Sequence, residues 1–362
     1  MAQQLSLQSW AARFQLLPKA ELHLHLEGTM EPATVVALAG KYGDLLTEGA
    51  VAARYAARDF PAFIEAYKWV TSYLRAPADY ALVARRMCEQ LLAQNVVYAE
   101  ITLSVGVMLL RKQDVAANFA AICEAAAPYQ HRGLRLQWIF DAVRQFGPAA
   151  AWEVARCAAD LRGAGVIAFG MGGDELALPA AQFRDVYEYA AAHGLHRLVH
   201  AGEIGGPDSV RDAVEILGAE RIGHGIASAA DPALMALLAE RSIGLELCPT
   251  SNLCTGALAR HLGRPNAHTD ARPDSGNDAR LAEHPLPRLF RAGIPISIST
   301  DDPAMFGTTL NAEYGALEQM GLSGEEILRI SEGAFRGAFL PLEDKMAFVK
   351  SFRAQAAPLG LL

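Results

Sequence analysis

Short apolar runs alternate with amphipathic or alanine-rich stretches along nearly the whole chain. Eight runs, at 21–26, 97–103, 134–143, 166–170, 198–201, 221–224, 243–248 and 294–300, have strand length and strand composition. Between them lie stretches with helical spacing, among them 149–161, 180–192, 210–217 and 232–240. Repeated strand-then-helix units of this number predict an α/β protein, a (β/α)8 TIM barrel of parallel strands. An open doubly wound sheet fits the same string less well. In such a barrel the polar residues at the C-terminal ends of strands face the working end.

Two connections are longer than a plain barrel unit requires. The first, from 32 to about 95, contains DFPAFIEAYKWVTSYL, an apolar helix that predicts a lid of extra helices after strand one. Phe60 and Phe63 on it are candidates to cover the apolar part of a pocket, with core packing as the equal alternative. The second, 255–283, is rich in Pro, Asp, Asn and Arg and reads as a polar surface loop. Composition is steady and no linker or repeat divides the chain, so one domain is expected over 1–362.

Hydrophobic residues make up 52% of the 362 residues and charged residues 20%, enough apolar surface for a packed core. A net charge of −8 argues against a nucleic-acid footprint and favours a small-molecule partner. The N-terminus lacks a signal-peptide pattern and no run of about eighteen apolar residues occurs, so a cytoplasmic location without membrane insertion is expected. Cys88, Cys123, Cys157, Cys248 and Cys254 form an odd set without CxxC, as reduced thiols would. Oligomeric state is not encoded in any pattern found here.

The chemistry sits in polar residues that interrupt apolar strands. In Glu21-Leu22-His23-Leu24-His25-Leu26-Glu27, alternation puts both imidazoles and their acidic flanks on one face and the leucines on the other. Burying such a face is costly unless a cation pairs with it. Strand five ends on His200, with Ala201 and Gly202 turning the chain to bring Glu203 to the same cavity. Strand six ends on His224 between two glycines. Strand eight places Ser297, Ser299 and Asp301 inward, with Asp302 opening the loop. His23, His25, His200 and Asp301 thus form a candidate His3Asp metal site, for which zinc is suited and iron or manganese remain open. The other six histidines, 131, 193, 196, 261, 268 and 284, read as structural or solvated.

PKAELHLHLEG, GGDE at 172–175, HAGE, RIGHG, CPTSN, HPL and STDDPAMFGTTLNAEY, in this order from about 18 to 314, resemble the motifs of the adenosine deaminase family. The resemblance implies one Zn2+ per chain on His23, His25, His200 and Asp301, activating water for attack at C6 of a 6-aminopurine. It further implies that protonated Glu203 delivers a proton to N1 and that His224 orients or deprotonates the water. Asp302 would bond N7, and the Gly173 N–H would donate to N3. Cytidine-type deaminases pair HxE with PCxxC; His25-Leu26-Glu27 matches the first half but the second is missing. Strand four ends without the lysine that bridges two metals in related barrels.

Substrate markers diverge. Glu27 stands where adenosine enzymes carry a sugar-binding Asp, whereas Gly173-Asp174-Glu175 resembles the adenosine type. YAEITLSVGVML also departs from their AEIRFSP pattern. Adenosine or deoxyadenosine is the leading expectation, followed by 6-aminodeoxyfutalosine, of menaquinone biosynthesis, and adenine. A non-catalytic purine-binding protein on the same fold is disfavoured because all four ligands and Glu203 are present.

Overall fold

The computed structural model describes residues 10–56, 59–264 and 280–362. Eight strands follow one another in chain order: β1 Lys19–His25, β2 Val96–Leu103, β3 Arg135–Val143, β4 Val166–Gly172, β5 His196–Ala201, β6 Arg221–His224, β7 Gly244–Leu247 and β8 Ile296–Ile298. Each pairs in parallel with the next. A parallel neighbour demands a crossover, and helices such as Val115–Gln130 and Gly147–Asp160 supply it. The eight-stranded barrel expected from the alternation is the one observed.

Closure between β8 and β1 is irregular, and this places the site. Leu24 bridges Asp301, with the His25 N–H donating to the Asp301 carbonyl at 3.0 Å and the Asp301 N–H to the His23 carbonyl at 3.1 Å. Below that bridge the Ser299 hydroxyl accepts the Leu22 and His23 N–H groups at 3.2 and 3.1 Å. A side-chain oxygen thus replaces the ladder, which is why β8 is shorter than the run 294–300 suggests. Asp301 itself has φ 65°, a left-handed turn that ends the strand. At the other end β1 starts earlier than expected, because the buried Lys19 ammonium donates to the carbonyls of Gln15, Leu17 and Gln94.

The long first connection forms four helices, Pro32–Lys41, Glu48–Tyr55, Phe60–Thr71 and Pro77–Ala93. The Phe60–Thr71 helix is capped by Asp59, whose carboxylate accepts the Ala62 N–H at 2.8 Å. It lies over the strand C-termini, with the Phe63 ring 5.0 Å from that of Phe306 in the segment after β8. Of the polar segment 255–283, the described part includes a short helix, Ala257–His261. His268 lies outside the described residues. Among the described residues no helix is long and apolar enough to cross a membrane.

Candidate active site

Four strand ends converge. His23 and His25 come from β1, His200 from β5, and Asp301 from the turn after β8. Their ligand atoms all lie within 4.8 Å of one another. His25 Nε2 is 3.3 Å from His200 Nε2 and 3.4 Å from Asp301 Oδ1, and His23 Nε2 is 3.5 Å from the same oxygen. A tetrahedral cation with ligands at about 2.05 Å would separate adjacent donors by about 3.3 Å, so this donor set fits zinc-sized coordination. Among the described residues the buried His23 Nε2 has no hydrogen-bond partner, which leaves this nitrogen to a cation.

The protonation pattern suits the same role. Burial pulls His25 down to about 4 and His200 well below its ordinary value, keeping both imidazoles neutral. Burial also opposes charge on His23, but the adjacent Asp301 and Glu246 carboxylates outweigh it and push this ring up to about 10. A cation entering there would replace that proton. Asp301 is held well below the usual carboxylate range: burial opposes this, and the adjacent His23 imidazolium prevails. The adjacent Asp302 is pushed well above it by burial and by the Asp301 charge.

Supporting residues hold this arrangement, and the sequence reading gave none of them a role. Glu246 on β7 accepts from His23 Nδ1 at 2.8 Å, and Arg221 on β6 donates to Glu246 at 2.6 Å and also pairs with Glu100. The Ser251 hydroxyl donates to Asp301 Oδ2 at 2.7 Å. For Glu246 the available signal was its alternation with Leu245 and Leu247, which turns a carboxylate into the barrel. Glu175, in the GGDE motif, accepts the N–H groups of Gly202, Glu203, Ile204 and Gly205 at 2.5 to 3.2 Å and the Ser209 hydroxyl at 2.5 Å. It shapes the loop that carries Glu203. Cys248 lies within ligand reach of His224 and Asp301, but burial pushes its thiol well up and keeps it protonated.

One cavity above these groups is lined by His25, His200, Glu203, His224, Asp301 and Asp302 on its polar side, with Gly173 at its edge. Phe60, Phe63, Ile64, Val107, Val143 and Phe146 form its apolar wall. Glu203 is held up to about 8 by burial, then by the charges of Asp301 and Glu175. His224 Nε2 lies 3.6 Å from Glu203 Oε2 and 3.9 Å from Asp301 Oδ2. Gly173 has φ 91°, and a Cβ there would meet Gln145 Oε1 at 2.4 Å, so only glycine presents its main chain to the cavity.

The two acidic flanks of the HxH pair do not join the cluster. A register break in β1 between Glu21 and Leu24 separates Glu21, which instead accepts the Thr300 N–H at 3.0 Å and hydroxyl at 2.5 Å. Glu27 begins a 3-10 turn and accepts the Ser104 N–H at 3.1 Å and the Tyr67 hydroxyl at 3.2 Å. It stands behind Tyr67 and Ser104, both of which line the cavity.

A family model described as Adenosine deaminase matches residues 18–268 and 275–354. Aminodeoxyfutalosine deaminase of Streptomyces coelicolor is 38% identical over 336 residues, covering 91% of this chain and 82% of that protein. Adenine deaminase of the same organism is 32% identical, covering 94% and 97%. A crystal structure of an amidohydrolase from Burkholderia ambifaria with bound Zn superposes with a TM-score of 0.83 at 25% identity, covering 97% of this chain and 94% of that one.

Proposed function

The chain belongs to the adenosine deaminase family, and on that premise we propose that it removes the 6-amino group of an extended purine nucleoside, 6-aminodeoxyfutalosine, with one zinc ion. The observation that carries the reading is the facing of a zinc-sized His3Asp donor set and a protonated carboxyl, Glu203, across one cavity. His23, His25, His200 and Asp301 would hold the ion. When bound, zinc supplies the Lewis acidity that makes water a nucleophile near neutral pH.

The remaining chemistry belongs to side chains. Attack at C6 moves electron density onto N1, and Glu203, protonated at neutrality, delivers a proton there. His224 sits beside Glu203 and Asp301 and would orient or deprotonate the attacking water. Asp302, which burial and the Asp301 charge push toward its protonated form, would donate to the acceptor N7. The Gly173 N–H is free of a side chain that would block a flat ring, and serves N3. Phe60 and Phe63 close the apolar side.

The identity of the attached group is read from likeness and from the cavity wall. The aminodeoxyfutalosine relative is more similar than the adenine relative, at 38% against 32%. The apolar wall and the Tyr67 and Ser104 hydroxyls in front of Glu27 give a substituent on the purine both an apolar and a polar surface. These points move 6-aminodeoxyfutalosine ahead of adenosine and deoxyadenosine; adenine is the second reading, favoured by the 32% relative. Ammonia release from the four compounds, compared by kcat/KM, tests the order. The highest value is expected for 6-aminodeoxyfutalosine, and a tenfold preference for any of the others would reject the assignment.

A further inference from the structure

Two motifs, CPTSN and HPL, supply no ligand and line no part of the cavity, yet they meet behind His224. Pro285 and Leu286 open the helix Leu286–Arg291, whose first N–H groups lack partners within the helix. The Leu286 N–H donates to His284 Nδ1 at 3.1 Å. A backbone N–H can only donate, so this contact fixes Nδ1 of His284 as an acceptor. Burial pulls His284 down to about 3, so the ring is neutral and its single proton sits on Nε2.

That proton sets the rest of the chain. His284 Nε2 is 3.2 Å from Asn252 Oδ1, which accepts it, and this orients the amide. Asn252 Nδ2 then donates to His224 Nδ1 at 3.2 Å. All three side chains are buried, at 3% exposure or less, so water does not compete for these bonds. A neutral imidazole that accepts at Nδ1 carries its proton on Nε2, the atom facing Glu203 and Asp301.

We propose that Asn252 and His284 are positioning residues that lock His224 in the Nε2–H tautomer, so that it orients the attacking water by donating to it. An Nε2 that already bears a proton has no lone pair with which to take one from water. The opposite tautomer would turn Nδ1–H against the Asn252 NH2, and flipping that amide would turn its NH2 against His284 Nε2–H. The relay therefore selects between the two roles left open for His224. Its catalytic consequence rests on the deaminase reading; the tautomer itself does not.

The test is a long-range 1H–15N spectrum of metal-loaded protein with labelled histidines, His224 being assigned by its loss in His224→Gln. Wild type is expected to show Nε2 protonated and Nδ1 bare. Asn252→Asp, which can only accept, is expected to reverse this and to lower kcat by about 100-fold or more, with metal content and KM held within about twofold. His284→Gln keeps a donor at the same reach and should retain tautomer and rate, whereas His284→Leu should lose both; this pair decides if Asn252→Asp does not fold. A wild-type proton on Nδ1, or an unchanged tautomer and rate in Asn252→Asp and His284→Leu, would overturn the proposal. Because the spectrum is read without substrate, it stands even if every 6-aminopurine proves inert.

Discussion

At Glu203, burial and the charges of Asp301 and Glu175 act in one direction and hold the carboxyl up to about 8. Proton delivery needs the protonated form, which is full below that value and lost as pH rises through it. A bound cation favours the ionised form, so the descending alkaline limb of kcat/KM is expected at or below pH about 8. It should be absent from any residual rate of Glu203→Gln, and a rate that keeps rising through pH 9 would contradict the role. The candidate residues for this chemistry were legible in the sequence because each is a polar break at the end of an apolar run. Those that tune them were not. Glu175 is separated from Glu203 by 28 positions and its five partners are mostly backbone N–H groups, which leave no mark in composition. His284 and His261 looked like ordinary structural histidines, yet one fixes a tautomer chain and the other donates to the Glu203 carbonyl at 2.7 Å.

Among the elements, β6 shows how a strand serves the cluster without contributing a ligand to it. Gly223 lies beside two of the imidazoles: a Cβ there would stand 2.8 Å from His23 Cε1 and 3.4 Å from His200 Cγ. Gly223→Ala is expected to push the His23 ring and to weaken zinc binding by about 10- to 100-fold, measured by chelator competition, while far-ultraviolet circular dichroism stays unchanged. Wild-type affinity would show that the space is not needed. Strand existence and order followed from alternation, whereas the ends of β1 and β8 did not. Their limits depend on Ser299 standing in for a ladder hydrogen bond and on Lys19 satisfying three carbonyls, which are tertiary contacts. The Phe60–Thr71 helix was readable from its apolar segment, but its Tyr67 contact with Glu27 was not, since 40 residues separate them.

Across the whole molecule, the strand ends that meet at the cluster come from both ends of the chain, residues 23 and 301 among them. An ion held there ties the closing strands of the barrel together and binds the folded state alone. At a free zinc concentration of 1,000 Kd the gain is about 4 kcal/mol. Chelation is therefore expected to lower Tm by several degrees, reversibly on adding zinc, and an unchanged Tm would argue against a site shared between β1, β5 and β8. A buried ion chain, Glu100 to Arg221 to Glu246 to His23, runs from the barrel interior to the same cluster, with Arg221 stacked 3.6 Å over Phe339. None of its long-range partners could be assigned from local spacing, although Arg221 stood in a recognisable motif. The barrel order and the cluster were thus readable where one strand's pattern suffices, and unreadable where distant strands must meet.

The proposed chemistry requires a carboxyl that gives a proton to the purine, a role assigned to Glu203. Ammonia release by Glu203→Gln, measured beside wild type at equal zinc content with 6-aminodeoxyfutalosine, tests it most directly. Glutamine keeps the shape and removes the acid, so a loss on the order of 10³-fold or more in kcat is predicted, with zinc retained. A loss of less than tenfold would contradict it.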